Sequence, residues 1–175
     1  MKYLLYLIFT FFWVQAVAQV SVSTDYDKSV DFTQYKTYKY TDEALNLPVT
    51  SLNQDRLIEA LSAAMASKGF SQSDNPDILV DITISTQQKQ TATETTNYYG
   101  TGYRYRWGGG FSTSNINVND YTEGTIFLDF IDAESNQLVW QGRGVGTVQE
   151  NASAEKREKR ANKGMAKILK KYPPK

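Results

Sequence analysis

With neither Cys nor His among its 175 residues, this chain can do chemistry only through carboxylates, amides, guanidinium groups and aromatic rings. A Cys nucleophile, a disulfide framework, a zinc site of the usual ligand set and the commonest general base are all excluded. The best-placed carboxylates are Asp81 and Asp129, which fall on the same side of two alternating segments, with Arg143 on a third. Two carboxyl groups roughly 5–10 Å apart in a cleft would suffice for glycoside hydrolysis. A cross-strand charge ladder on a wetted sheet face is the commoner outcome for such a set, and it is the one expected here. Oxygen ligands are offered by Asn115, Asn117, Asn119 and Asp120, and by Asp25 with Asp27. Neither group has the central Gly and terminal Glu of a helix–loop–helix calcium site, so turn roles explain them, and neither a metal nor a cofactor is expected.

The most unusual stretch is Gln87 to Tyr121, thirty-five residues without an aliphatic run. It begins Gln/Thr-rich, then packs six aromatics and five glycines between Tyr98 and Phe111. Within it Tyr103-Arg104-Tyr105-Arg106-Trp107 alternates, so an extended backbone would set three rings on one face and two guanidinium groups on the other. Rings with polar tips suit sugar faces, peptides and cations. Tyr98, Tyr99, Tyr103, Arg104, Tyr105, Arg106 and Trp107 are therefore the candidate ligand- or partner-binding residues. The structural alternatives are a hairpin extension of the central strands, whose aromatics cover the second sheet face, and a segment without order.

These side chains must be positioned by the elements around them. Val20 to Tyr26 alternates apolar and polar residues as a half-buried strand does, and Tyr35 to Thr41 is aromatic-rich in the manner of a second strand. Ser51 and Gln54 have capping-box spacing ahead of Leu57, Ile58, Leu61, Ala64 and Met65, a stripe of helical period that Gly69 closes as a left-handed cap. Asp77 to Thr86 returns to period two, with Ile78, Val80, Ile82 and Ile84 on one side. Thr122 to Asp132 repeats the pattern, and after the polar turn Ala133 to Gln137 the chain comes back as Leu138 to Val148. On that last strand Leu138 and Trp140 are expected in the core, and Gly142, Gly144 and Gly146 point to a bulge or to something packed close against the backbone. A second helix, about Ser153 to Lys171, aligns Ala161, Met165, Ile168, Leu169 and Tyr172 before Pro173 and Pro174 end it. Asn151-Ala152-Ser153 matches a glycosylation sequon, but at a helix start it reads as capping. The expected fold is an α+β two-layer sandwich: an antiparallel or mixed sheet of five or more strands with two helices packed on one face. The opposite face then carries Asp81, Asp129, Gln141 and Arg143.

The first eighteen residues read as an export signal. Lys2 is followed by the apolar run Leu4 to Val14 and by the small-x-small site Ala16-Val17-Ala18, so cleavage leaves Gln19 at the front of one domain, 19–175. No Cys stands at the cleavage point for lipid attachment, which makes the expected location periplasmic or extracellular, with no transmembrane segment in the mature chain. Charge is balanced overall at 19 basic against 19 acidic residues, yet Glu155 to Lys175 holds nine Lys/Arg and two Glu. The simplest reading is a solvated helix face; a weak contact with anionic lipid is the functional alternative, and nucleic acid is not an expected partner of an exported protein.

Several blocks recur in an order that resembles a known family. Asp31-Phe32 with Tyr35-Lys36-Thr37-Tyr38, Lys68-Gly69-Phe70, Pro76-Asp77-Ile78-Leu79-Val80, Gly124-Thr125 with Asp129 and Asp132, and Leu138-Val139-Trp140-Gln141-Gly142 together are similar to domain-of-unknown-function family 4136, small exported bacterial proteins often described as lipoproteins. The resemblance spans nearly the whole mature chain. It implies an α+β envelope domain without an established activity, and no catalytic residue to carry over; the quoted residues are expected to determine the fold. The expected function is that of a non-enzymatic binding or assembly module of the bacterial envelope, partnered by an envelope protein or glycan. The alternative is a hydrolase of envelope polysaccharide acting through Asp81 and Asp129.

Overall fold

The computed structural model describes the backbone of residues 20–98 and 112–174 and the side chains of 20–92 and 118–174. Strand β1 (Ser21–Tyr26) leads through a short 3-10 turn (Phe32–Gln34) to β2 (Thr37–Tyr40), then to helix α1 (Ser51–Ser67) and the two-residue strand β3 (Ser71–Gln72). Two long strands follow, β4 (Ile78–Tyr98) and β5 (Ser112–Asp132), then β6 (Leu138–Thr147) and helix α2 (Ala154–Leu169). The six strands form one mixed sheet in the order β1-β6-β5-β4-β2-β3. β4, β5, β6 and β1 are antiparallel neighbours, while β2 runs parallel to both β4 and β3. A parallel pair needs a crossover, and α1 supplies the one between β2 and β4. The sheet with its two helices is the expected α+β sandwich.

Alternation decides which sheet face the helices cover. Ile78, Val80 and Ile82 of β4 and Leu128 and Phe130 of β5 are buried together with Leu61 and Met65 of α1 and Met165, Ile168 and Leu169 of α2. Between them lies an aromatic cluster, with Phe130 ring centroids 4.8 Å from Trp140 and 5.0 Å from Tyr172. Tyr172 belongs to this core but follows the end of α2. One expectation about the core fails. Leu138 is 51% exposed, whereas Val139 and Trp140 are both buried at 4% and 0%. The register between β5 and β6 shifts at Phe130/Ile131, so that Trp140 faces Phe130 and Leu138 faces Ile131, with Val139 as the extra residue. A bulge reverses the parity of everything before it, which turns Leu138 away from the core.

The helix ends are fixed locally. Gly69 adopts φ +86, its N–H donating to Ala66 O at 2.9 Å and that of Phe70 to Met65 O at 3.1 Å, which closes α1 and sends Phe70 into the core. The start of α1 differs from the capping-box expectation. Thr50 occupies the N-cap position without a side-chain bond, and Ser51 is already helical. Gln54 instead pins the preceding loop, accepting from Leu47 N at 3.0 Å and donating to Leu45 O at 2.7 Å. At α2 the Ser153 hydroxyl accepts from Lys156 N, as capping requires.

The blocks that carry the family resemblance serve the fold. Asp77 accepts from the backbone N–H groups of Lys36 and Thr37, each at 2.8 Å, tying the entry of β4 to that of β2. Asp132 accepts from Ser135 N at 2.7 Å in the β5–β6 turn and from Tyr35 OH at 2.8 Å.

Candidate functional site

The residues singled out in the sequence separate into three places. Tyr99, Tyr103, Arg104, Tyr105, Arg106 and Trp107 lie outside the described residues, and Tyr98 ends β4 with no described side chain. The strands on either side run further than alternation indicated. β4 and β5 stay paired from Ile78↔Asp132 out to Tyr98↔Ser112, well beyond the last β5–β6 pair, Glu123↔Thr147. Gln87–Tyr98 and Ser112–Tyr121 are thus ribbon rather than loop, as a hairpin extension requires, while the aromatics that this alternative sets over the second sheet face lie outside the described side chains. Gln87 to Asn97 is polar at every position but Ala92 and offers no period-two contrast to read, although Asn115 to Asn119 does alternate.

Asp81 and Asp129 are direct cross-strand partners on the sheet face away from the helices, and Gln141 is the next neighbour across. Asp81 accepts from the Thr41 hydroxyl at 2.6 Å, and Asp129 from Gln141 Nε2 at 2.8 Å. Burial pushes the Asp129 carboxyl above its ordinary value, the Gln141 bond opposes this, and the charge of Asp81 adds to it. Arg143 is spent one step along on the Phe127 ring, its guanidinium carbon 5.8 Å from the centroid. This is the ladder arrangement, and neither carboxylate lines the cavity described next. Asp27, one of the oxygen-ligand candidates, accepts from Ser29 N and Ser29 Oγ at 2.8 and 2.7 Å as a turn residue.

The site that the sequence reading missed lies under the helices. A cavity of about 320 Å³ opens between the sheet and the two helices, walled by Leu57 of α1, Ile84 of β4, Ile126 of β5 and Met165 and Ile168 of α2. Its origin is the glycine ladder of β6. A Cβ on Gly142 would lie 2.5 Å from Ile168 Cγ2, and one on Gly144 would lie 2.7 Å from Ile168 Cδ1, so at this end α2 rests directly on the strand backbone. One helical turn earlier the contact is gone. A Cβ on Gly164 would meet nothing within 4 Å, and one on Gly146 would meet only Val20 Cγ2, at 3.5 Å. Glycine on the helix where no neighbour demands it leaves room that a larger side chain would fill.

Three arginines border this apolar space: Arg56 on α1, and Arg157 and Arg160 on α2, each half-buried. The basic run of α2 is therefore not a uniformly solvated face. Lys156, Lys159, Lys163, Lys170 and Lys171 are exposed, but Arg157 and Arg160 fall on the stripe that continues through Ala161, Gly164, Met165 and Ile168. Lys167 also turns back, donating to Val20 O. Arg157 is committed to carbonyls, its Nε donating to Ala152 O at 3.0 Å and Nη2 to Glu150 O at 2.6 Å. Arg56 Nη1 donates to Asn53 Oδ1 at 2.9 Å. Ion pairs among the described residues are Lys39–Asp74 and Lys89–Glu123, so no described carboxylate neutralises any of the three. The signal was available in the sequence as Arg157, Arg160 and Gly164 at helical spacing on the apolar side.

Sheet, helices and cavity together define an α+β sandwich with a cationic-rimmed apolar site. The chain belongs to the family Domain of unknown function (DUF4136), whose model matches residues 22–174. No curated protein matches it in sequence. Among solved structures it is similar to a PDZ domain protein from Parabacteroides distasonis, at 14% identity and a TM-score of 0.55, over 90% of this chain and 37% of that one. It is also similar to PelC from Paraburkholderia phytofirmans, solved as a dodecamer, at 12% identity and a TM-score of 0.49, over 86% of this chain and 95% of that one. The chain thus spans little more than a third of the first of these, and the likeness is one of fold. No helix among the described residues is long and apolar enough to cross a membrane.

Proposed function

We propose that this chain is an exported, non-enzymatic binding module of the bacterial envelope, and that it holds a small ligand in the cavity between α2 and the sheet. The observation that carries the reading is Gly164. Its position faces open space within a mostly apolar wall, and the cavity it helps to form falls within the range of small-molecule sites, roughly 300–1,000 Å³. Export is supported by Lys2, the apolar run Leu4 to Val14 and the Ala16-Val17-Ala18 site. The carboxylates of the hydrolytic alternative are bound to Thr41 and Gln141 on the other side of the sheet, away from this cavity.

A neutral, environment-sensitive dye, N-phenyl-1-naphthylamine, tests the site. It is expected to bind the chain with enhanced fluorescence and to lose binding at least tenfold in Gly164→Leu, with unchanged circular dichroism. Equal binding to both proteins, or none to either, overturns the reading. Intact-mass analysis of the protein recovered from cells is expected to begin at Gln19.

A further inference from the structure

We infer that the occupant of this cavity is a free, single-chain amphiphile with an anionic head, an alkyl chain ending in a carboxylate or a phosphate monoester, held at the head by Arg56 and Arg160. The inference rests on the cavity reading above and adds the chemistry of the ligand.

Two features of the site point the same way. Its walls are aliphatic where the sheet and the helices converge, at Ile84, Ile126, Met165 and Ile168, which offers an alkyl chain surface to displace from water and little to a sugar or nucleotide. Along α2 the lining changes from cationic to aliphatic, Arg160 standing one turn before Gly164 and Ile168 one turn after it, and Arg56 of α1 borders the same space. An acid head at that end with its tail toward Ile168 matches both.

The hydrogen bonds distinguish the three arginines. Arg157 is fixed by two backbone carbonyls and so acts as a brace for the loop ahead of α2. Arg56 has one neutral partner, Asn53, and Arg160 has no hydrogen-bond or ion-pair partner among the described residues. Guanidinium groups present a planar donor fork that matches carboxylate and phosphate oxygens, which an ammonium does not. Lys156, Lys159 and Lys163 of α2 are exposed and Lys167 is engaged with Val20 O, while the arginines flank the cavity, the division expected if the guanidinium groups serve a bound anion. The space is about 320 Å³ and partly open to solvent, room for one alkyl chain laid along its apolar wall.

Displacement of N-phenyl-1-naphthylamine by defined probes tests this on the full chain. Dodecanoate and dodecyl phosphate are expected to displace the dye at least tenfold more effectively than dodecanol or dodecyltrimethylammonium. In the double variant Arg56→Gln/Arg160→Gln the dye still binds, while the advantage of the anions falls to less than threefold. Dodecanol matching dodecanoate in the unaltered protein, or anions keeping their advantage in the double variant, overturns the assignment while dye binding leaves the cavity reading standing. Loss of dye binding from the unaltered protein is instead the failure of that earlier reading. Association with phosphatidylglycerol vesicles that depends on Arg56 and Arg160, without displacement by monomeric dodecanoate, also overturns it by moving the ligand to the membrane.

Discussion

Ile168 of α2 and Gly144 of β6 are packed so tightly that a Cβ on the glycine would sit 2.7 Å from Ile168 Cδ1. This contact sets the height of α2 above the sheet and hence the cavity one turn away. Gly144→Ala is expected to destabilise the fold by about 1–3 kcal/mol, the usual range for an inserted core methyl. Ile168→Val removes the opposing Cδ1, so the double variant Gly144→Ala/Ile168→Val should be more stable than the sum of the two single changes. Gly142→Ala gains no such relief, because its clash is with Ile168 Cγ2 and with the Trp140 ring. Urea denaturation of the four variants measures this, and additive effects at Gly144 and Ile168 would contradict it.

Gly164 makes the opposite prediction. It lies inside α2 with open space at its Cβ position, so Gly164→Ala costs nothing in packing and lowers the backbone entropy of the unfolded chain. Stability should rise by about 0.5–1 kcal/mol, seen as a higher thermal midpoint. A glycine that evolution could replace with a gain in stability is best understood as keeping space for something. A fall in the midpoint would mean that α2 lies closer to the sheet there than the geometry indicates.

Most of the fold was legible because alternation in β4 and β5 and the helical stripes in α1 and α2 record burial directly, and Gly69 announces its own left-handed backbone. What escaped notice did so for physical reasons. The bulge at Val139 is a register event between strands, and no property of Val139 itself reports it. The first arm of the ribbon, Gln87 to Asn97, is polar at every position but Ala92 and so carries no alternation. The cavity was half written in the sequence. Gly142, Gly144 and Gly146 signalled a close approach, and Ile168 makes it, but the empty volume depends on where the approach ends, which needs Gly164 and Gly146 placed in space together. Arg157 and Arg160 resemble the neighbouring lysines in charge, and only their position on the apolar stripe sets them apart.

Acid should loosen the molecule at two identifiable joints. Backbone N–H groups of Lys36 and Thr37 hold the Asp77 carboxyl below its ordinary value, and the Ser135 N–H and Tyr35 hydroxyl do the same for Asp132. In the unfolded chain both titrate near pH 3.9, roughly the unperturbed value. Their folded values are lower, so the stabilisation is complete above the unfolded value and disappears as pH falls through the folded ones. Tyr35 complements this, its hydroxyl pushed up to about 12 by burial and by donating to Asp132, so it remains a donor across the neutral range. Asp77→Ala and Asp132→Ala are each expected to cost about 1 kcal/mol at pH 7, allowing for their exposure. The cost should shrink as pH falls from 7 through the folded values, and urea midpoints that fall by the same amount at pH 7 and at the acid end would refute the assignment.

Asp129 runs against this trend, and its behaviour separates a structural ladder from a hydrolytic pair. Burial first, and the neighbouring Asp81 charge second, raise its folded value above the unfolded one, with Gln141 opposing. A raised carboxyl favours the protonated form in the folded state, so its contribution is favourable below the unfolded value and is lost as pH rises through the folded one. At pH 7 the folded chain therefore carries a charge it would be better without. Asp129→Asn retains an acceptor for Gln141 Nε2 and can offer its own N–H to Asp81, removing the repulsion while keeping the bond. Stability at pH 7 should increase, by no more than about 1 kcal/mol because the site is half open to water, and the gain should vanish near pH 3. A hydrolytic pair would instead lose turnover with this change. Release of reducing ends from envelope polysaccharide by the unaltered protein, abolished in Asp129→Asn, is the result that would move the function from the cavity under the helices to the opposite face of the sheet.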